Sequence, residues 1–317
     1  MRELEGRKKV RHEISILRCH ISVLCDVVVT GKKESMWNRS KQIFENGCGI
    51  WRANMRLGFI GAGNMAQAMI GGILAKEIVK KEDIIASAAT QKTIDKVAKE
   101  FGINVTLDNR EVAKADIVFL AVKPFYYEEV IDGIKDVVDE KQLIISVAAG
   151  KSVEWVENAF GGKKKIVRIM PNTPALVGEA VTAICPNANI TDDEKQEIVE
   201  LIASFGLAQI VSEKIMDAVI AVSGSSPAYV FMFIEAMADA AVAEGMPRVQ
   251  AYQFAAQSVL GSAKMVLETG KHPGELKDMV CSPSGTTIEA VKVLEEKGFR
   301  SSIIEAMSAC ADKSRNM

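Results

Sequence analysis

Leu57-Gly58-Phe59-Ile60-Gly61-Ala62-Gly63-Asn64-Met65-Ala66 decides the fold of this chain. A short apolar run enters a glycine turn and leaves into helix-forming residues, Gln67 to Leu74. Strand, tight turn and helix in that order are the start of a dinucleotide-binding βαβ unit. Gly61 permits the sharp exit from the strand, Gly63 lets the backbone approach a pyrophosphate, and Ala66 keeps the helix close to the sheet. The helix N-terminus then faces the phosphates with unpaired N–H groups.

Working outward, strand and helix patterns alternate from Arg56 onward. Strands are expected at Leu57 to Ile60, Asp83 to Ser87, Asp116 to Val122, Leu143 to Val147 and Lys165 to Met170, with helices between them. Five such runs joined by crossovers imply a Rossmann-type, doubly wound parallel α/β sheet. A further strand, Ala180 to Ile184, and a helix, Asp192 to Phe205, carry this dinucleotide-binding domain over residues 55–215.

Strand signals then stop, and 216–317 reads as an all-helical substrate-binding and dimerisation domain. Its helices are expected at Ala228 to Glu244, Val249 to Thr269, Thr286 to Lys297 and Ser301 to Lys313. The first is apolar almost all round. A small bundle can bury such a helix only against a second copy, so a homodimer is expected. A membrane span is the rival reading, but Pro227, Asp217 and Glu235 should break the run below spanning length.

The 317 residues, 48% of them hydrophobic, suffice for two domains with a sizeable core. A net charge of −2 gives no general attraction to nucleic acid or to an anionic membrane. That balance hides a split: residues 1–54 carry 11 Lys and Arg against 6 Asp and Glu, and lack sustained periodicity. They read as a disordered or non-native leader, with the functional chain starting at Met55. The six cysteines form no C-x-x-C pair, and free thiols suit a cytoplasmic protein. Nor is there a cluster with metal-ligand spacing, so no metal is expected.

The end of the second strand bears on the cofactor. An acid there would take the 2′-hydroxyl of NAD, but the sequence runs Ser87-Ala88-Ala89-Thr90-Gln91-Lys92. Hydroxyls and Lys92 suit a 2′-phosphate, which favours NADPH, with NADH as the alternative. Two more loops follow strand ends, Val122-Lys123-Pro124 and Met170-Pro171-Asn172-Thr173-Pro174. Either could be a rigid connector, but their shared place at the carboxyl ends of strands favours a role beside the nicotinamide. In the helical part, Cys281-Ser282-Pro283-Ser284-Gly285-Thr286-Thr287 leads into a helix, offering either a carboxylate cradle or a simple N-cap. His272 is the sole histidine of 55–317, and His272-Pro273 reads as a helix entry. Hydroxyls and backbone donors without a strong acid suit reduction of an imine, protonated beforehand in solution, better than reduction of a ketone.

Gly58-Phe-Ile-Gly-Ala-Gly-Asn-Met-Ala66, Ala121-Val-Lys-Pro124, Arg168-Ile-Met-Pro-Asn-Thr-Pro174, Ser223-Gly-Ser-Ser-Pro-Ala-Tyr229 and Ser282-Pro-Ser-Gly-Thr-Thr287 occur in one order. In that order they resemble the Δ1-pyrroline-5-carboxylate reductase family, over essentially all of 55–317. The resemblance implies an enzyme of the last step of proline biosynthesis, in which NAD(P)H delivers hydride to the C=N carbon of 1-pyrroline-5-carboxylate. It implies that Ile60, Gly61, Ala62, Gly63, Asn64 and Met65 hold the pyrophosphate. Ser87, Ala88 and Asn109 would lie by the adenosine ribose, and Ala121, Val122, Lys123, Pro124 and Ala149 by the nicotinamide half. Ser282, Gly285, Thr286 and Thr287 would bind the substrate carboxylate, with the Thr287 hydroxyl near the ring nitrogen as proton partner. Glu213 matches a family acid near the substrate. The resemblance also implies an intertwined dimer, assembled in many members into a decamer.

Ser226 and Ser284 stand where that family usually has glycine. If position 284 needs a positive φ, its side chain adds strain of order 1 kcal/mol. Ser226 precedes Pro227, which should hold it in extended geometry. These departures keep two alternatives open, a non-catalytic NADP-binding sensor and a reductase of a different cyclic imine.

Overall fold

In the computed structural model, which describes residues 55–317, eight strands form a single sheet. They are β1 (Leu57–Ile60), β2 (Ile84–Ser87), β3 (Asn104–Thr106), β4 (Ile117–Leu120), β5 (Leu143–Ser146), β6 (Lys165–Met170), β7 (Ala180–Pro186) and β8 (Gly206–Ile210). Their spatial order is β3-β2-β1-β4-β5-β6-β7-β8. Every neighbouring pair is parallel except β6 and β7. The leader expected over 1–54 lies outside the described residues. The sheet domain carries α1 (Asn64–Ala75), α2 (Gln91–Phe101), α3 (Tyr127–Ile134), α4 (Val153–Ala159) and α5 (Asp192–Ala203).

β1 and β4 at the centre are apolar end to end because both faces of the sheet are covered. Leu57, Phe59, Ile117, Phe119, Leu143, Ile145, Val167 and Ile169 join Met69, Ile70 and Ile73 of α1 in one layer. The intervening residues Ile60, Val118, Leu120, Ile144 and Ile166 turn to the other layer, with Ile131 and Ile134 of α3 and Val156 of α4. At the centre, Phe59 of β1 and Phe119 of β4 stack with ring centroids 4.3 Å apart. β3 and β8 were not expected from the sequence.

The helical part comprises α6 (Ser226–Ala243), α7 (Arg248–Thr269), α8 (Pro273–Val280), α9 (Thr286–Glu296) and α10 (Phe299–Arg315). Only Ala238 of α6 is buried, and Ala251 and Ala255 of α7. Phe231, Met232 and Phe254 are more than 60% exposed. That leaves a broad apolar surface which a single chain does not cover.

Two expectations at the start of α6 need correction. Successive 3-10, α- and π-helical turns lead through a bend at Ser225 into α6. This stretch, Glu213–Ala243, holds an 18-residue window of mean hydropathy 1.4, so by length and composition it is long and apolar enough to cross a membrane. Pro227 does not break it, because it sits in the first turn of α6, where its missing N–H costs nothing. A π-helical stretch, Ile220–Gly224, shifts the register just before it, and the Ser225 N–H reaches back to the Ile220 carbonyl at 2.9 Å. For the same reason Ser226 is the first residue of a helix and not extended: the register shift outweighs the preference imposed by the following proline.

Hydrogen bonds join the two parts. The Asn172 amide, buried after β6, donates to the Ser223 carbonyl at 3.1 Å and accepts from the Val181 N–H at 3.0 Å. Within the helical part, the Ser314 hydroxyl of α10 donates to Asp217 Oδ1 at 2.6 Å.

Candidate active site

The β1–α1 turn has the geometry that its glycines require. Gly61 has φ +96°, and a Cβ there would stand 2.8 Å from the Ala121 carbonyl oxygen. Strand end and neighbouring loop therefore touch backbone to backbone. Gly63 is the N-cap of α1 and carries no side-chain cap, and a Cβ placed on it would meet nothing within 4 Å. The helix start thus has free N–H groups above an open cradle, which suits a dinucleotide pyrophosphate. Ile60 and Ala62 are buried behind it, and Asn64 and Met65 open the helix.

At the end of β2 the fully buried Ser87 hydroxyl donates to Asn109 Oδ1 at 2.7 Å. This brings together two residues 22 apart in sequence and leaves the Asn109 amide nitrogen as the donor that faces away from Ser87. Ala88 follows directly, Lys92 is exposed in the first turn of α2, and no carboxylate stands at this strand end.

At the end of β4, Ala121 stays tied to β1 through its N–H and the Ile60 carbonyl, 2.8 Å apart. Val122 Cγ1 lies within 2.8 Å of the position a Cβ would take on Gly61. Lys123 is exposed and Pro124 opens a short 3-10 turn. Ala149, after β5, packs on the small cluster of Met170, Ala183, Cys185 and Met216. Loops 121–124 and 149 therefore emerge side by side from adjacent strands. In the 170–174 loop, the amide of Asn172 is spent on the domain junction.

Glu213 sits away from the hydroxyl loop. Its Oε1 accepts from Arg168 Nη1 at 2.8 Å and from the Val153 N–H at the start of α4 at 2.9 Å. Arg168, on β6, is buried, and its Nε has no partner among the described residues. Glu213 thus ties the short turn Glu213–Ile215 to β6 and to the start of α4. Neighbouring Cys185 has its thiol pushed up to about 11, by burial first and by the Glu213 carboxylate second, so it is no nucleophile.

In the hydroxyl loop, the Gly285 N–H bonds the Ser282 carbonyl at 3.1 Å and closes a turn with Pro283 and Ser284 in its centre. Ser284 has φ +57°, the left-handed value at the third position of a type II turn, which glycine normally supplies. A Cβ on Gly285 would fall 2.3 Å from Ser282 Oγ, so the serine hydroxyl packs onto bare backbone. Gly285 is the N-cap of α9 and no side chain caps the helix, which removes the simple N-cap reading. Thr286 and Thr287 open α9, and their side chains are free of intrachain hydrogen bonds. Among the described residues the hydrogen bonds of 281–287 are all local, none of them reaches the 121–124 segment, and α9 packs on α10. His272 caps α8, with Nδ1 accepting from the Gly274 N–H at 3.0 Å.

Sequence reasoning passed over Tyr127, Arg168 and Asn172 as individual functional residues. Among the described residues no group of three or more His, Cys, Asp or Glu could hold a metal.

A doubly wound sheet with an uncapped glycine-turn helix, followed by a helical domain with an uncovered apolar face, defines a dinucleotide-dependent oxidoreductase that oligomerises through its C-terminal helices. Residues 213–317 match the family described as pyrroline-5-carboxylate reductase dimerisation, and residues 56–150 that described as NADP oxidoreductase, coenzyme F420-dependent. The chain is 51% identical over 263 residues to the pyrroline-5-carboxylate reductase of Escherichia coli, covering 83% of this chain and 98% of that protein. It superposes on the reductase of Coxiella burnetii with a TM-score of 0.77 at 35% identity, covering 83% of this chain and 98% of the other. The Plasmodium falciparum pyrroline carboxylate reductase, solved with NADP bound, gives a TM-score of 0.77 at 34% identity over 84% of this chain and 99% of its own. The chain belongs to the pyrroline-5-carboxylate reductase family.

Proposed function

We propose that this protein reduces 1-pyrroline-5-carboxylate to L-proline with NADPH, the last step of proline biosynthesis. The observation that carries this reading is the 51% identity to a named reductase along 98% of its length. The uncapped start of α1 and the uncapped start of α9 add a cradle for each anion, the pyrophosphate and the substrate carboxylate. When bound, NADPH supplies the hydride. Ile60 to Met65 hold its pyrophosphate, Ser87, Ala88 and Asn109 the adenosine ribose, and Ala121 to Pro124 with Ala149 the nicotinamide half. Ser282, Gly285, Thr286 and Thr287 take the carboxylate, and the Thr287 hydroxyl holds a proton near the ring nitrogen. Glu213 serves the substrate side through the Arg168 pair. A homodimer brings the 282–287 loop of one chain to the sheet domain of the other, and dimers assemble into a decamer. The functional chain starts at Met55, its domains meet at 215/216, and it works in the cytoplasm on a small molecule, without nucleic acid or membrane. The long apolar helix over Glu213–Ala243 is then interface, since it lies within the dimerisation match.

The test is loss of NADPH absorbance, and separately of NADH, on adding 1-pyrroline-5-carboxylate to the full chain, with proline quantified and assembly followed by sedimentation. Oxidation with equimolar proline is expected, faster with NADPH. NADPH binding without turnover would favour the sensor reading.

A further inference from the structure

Where β4 and β5 part, a single hydroxyl bridges them. Tyr127 is the first residue of α3, three positions past Pro124, and its side chain is fully buried. Its hydroxyl donates to the Leu120 carbonyl at 2.5 Å and accepts from the Val147 N–H at 3.1 Å and from Ser146 Oγ at 3.3 Å. Leu120 and Ser146 are the last residues of the two strands and are register partners. The ladder beyond them closes with a long bond, Val147 N–H to Leu120 carbonyl at 3.3 Å. The phenol thus adds a rung where parallel pairing gives out.

Ala121 to Pro124 leaves one side of this rung and Ala148 to Gly150 the other. We propose that Tyr127 is the positioning residue for the nicotinamide half of the dinucleotide site, fixing the spacing between these two segments through its hydroxyl. The proposal rests on the cofactor reading given above. Burial pushes the phenol up to about 12, so the oxygen keeps the proton it donates to Leu120. The ring is held in the layer formed with Ile131, Ile134 and Leu120, with the Trp155 ring 6.4 Å away. A phenylalanine fills the same space and lacks only the rung. A tyrosine that merely filled the core would therefore be replaced by phenylalanine with no effect specific to one half of the cofactor.

The experiment is calorimetric titration of the full chain and of Tyr127→Phe with NADPH and with adenosine 2′,5′-bisphosphate, which carries only the adenosine half. The variant is expected to bind NADPH about five- to tenfold more weakly, the scale of one lost hydrogen bond, and the bisphosphate within about twofold of wild type. Equal weakening of both ligands, or unchanged NADPH affinity, overturns the proposal. Amide exchange gives a second readout: the Val147 N–H, left in Tyr127→Phe with only its long bond to Leu120, should exchange at least several-fold faster than in the wild-type chain while Ile145 is unchanged, and equal rates for Val147 overturn the rung. A wild-type chain that takes the bisphosphate but not NADPH would overturn the cofactor reading itself, before any substitution is made.

Discussion

Replacing Ser284 by glycine should stabilise the protein. The residue holds φ +57° in the centre of the Ser282–Gly285 turn and is exposed, so its β-carbon meets the left-handed penalty without packing to offset it. That penalty is roughly 1–2 kcal/mol for an L-residue, and the added freedom of glycine in the unfolded chain takes back about 0.4–1 kcal/mol. A net gain of about 0.5–1 kcal/mol remains, which for a chain of this size raises Tm by about 1–4 °C. Scanning calorimetry at fixed protein concentration reads the change, because assembly makes Tm depend on concentration. Ser284→Val is the opposing control. A β-branched side chain is still less tolerant of positive φ and should lower Tm by a similar amount. A fall in Tm for Ser284→Gly, or no loss for Ser284→Val, would refute the claim that this turn is strained. The KM for the substrate should shift in Ser284→Gly with NADPH affinity unmoved, since the turn opens α9 and not α1.

Gly63→Ala should barely alter Tm, because its β-carbon meets no protein atom and an N-cap change of this kind costs under about 1 kcal/mol. The same methyl should weaken NADPH binding more than tenfold by titration, since it enters the open cradle. Thr287→Ala should lower kcat at least tenfold with the Kd for NADPH within about twofold; unchanged turnover would remove its hydroxyl from the reaction. At alkaline pH the raised phenol of Tyr127 gives a signed effect. The folded chain holds this proton more tightly than the unfolded one, so its share of stability is complete below pH 10 and is lost as pH rises toward about 12. Denaturant midpoints measured across that window should fall less steeply in Tyr127→Phe, leaving the limb from pH 9 that belongs to the raised thiol of Cys185.

Elements buried on both faces were legible in the sequence because burial writes itself as an apolar run, unbroken in β1 and β4, broken by the final serine of β5 and by Arg168 within β6. β3 escaped because its three residues, Asn104–Thr106, are half exposed and carry no such run. β8 escaped for a different reason. It begins at Gly206, which pattern reading takes as a breaker, although a Cβ there would stand 2.1 Å from the Ala180 carbonyl, so this register admits only glycine. α8 is short and has no buried residue to set a period. In the site, the glycine turn and the hydroxyl loop were readable because backbone chemistry demands particular residues at fixed spacing. The Arg168–Glu213 pair and the Tyr127 rung join residues 45 and 7 to 20 positions apart. Such contacts exist only once the sheet has formed, and nothing local marks them. Pro227 misled for a related reason: its effect depends on a π-helical shift supplied by the five residues before it.

The near-absence of burial along α6 ties how well this chain holds together to how much of it there is. Ala238 alone of its eighteen residues is enclosed, so packing against α7 still leaves most of the helix surface for a second copy to cover. If that copy is a second identical chain, stability of the C-terminal half depends on concentration, and dilution lowers it as a denaturant does. A cell making few copies would lose activity faster than in proportion, and a variant chain that folds but misfits would spoil its normal neighbours by sharing their core.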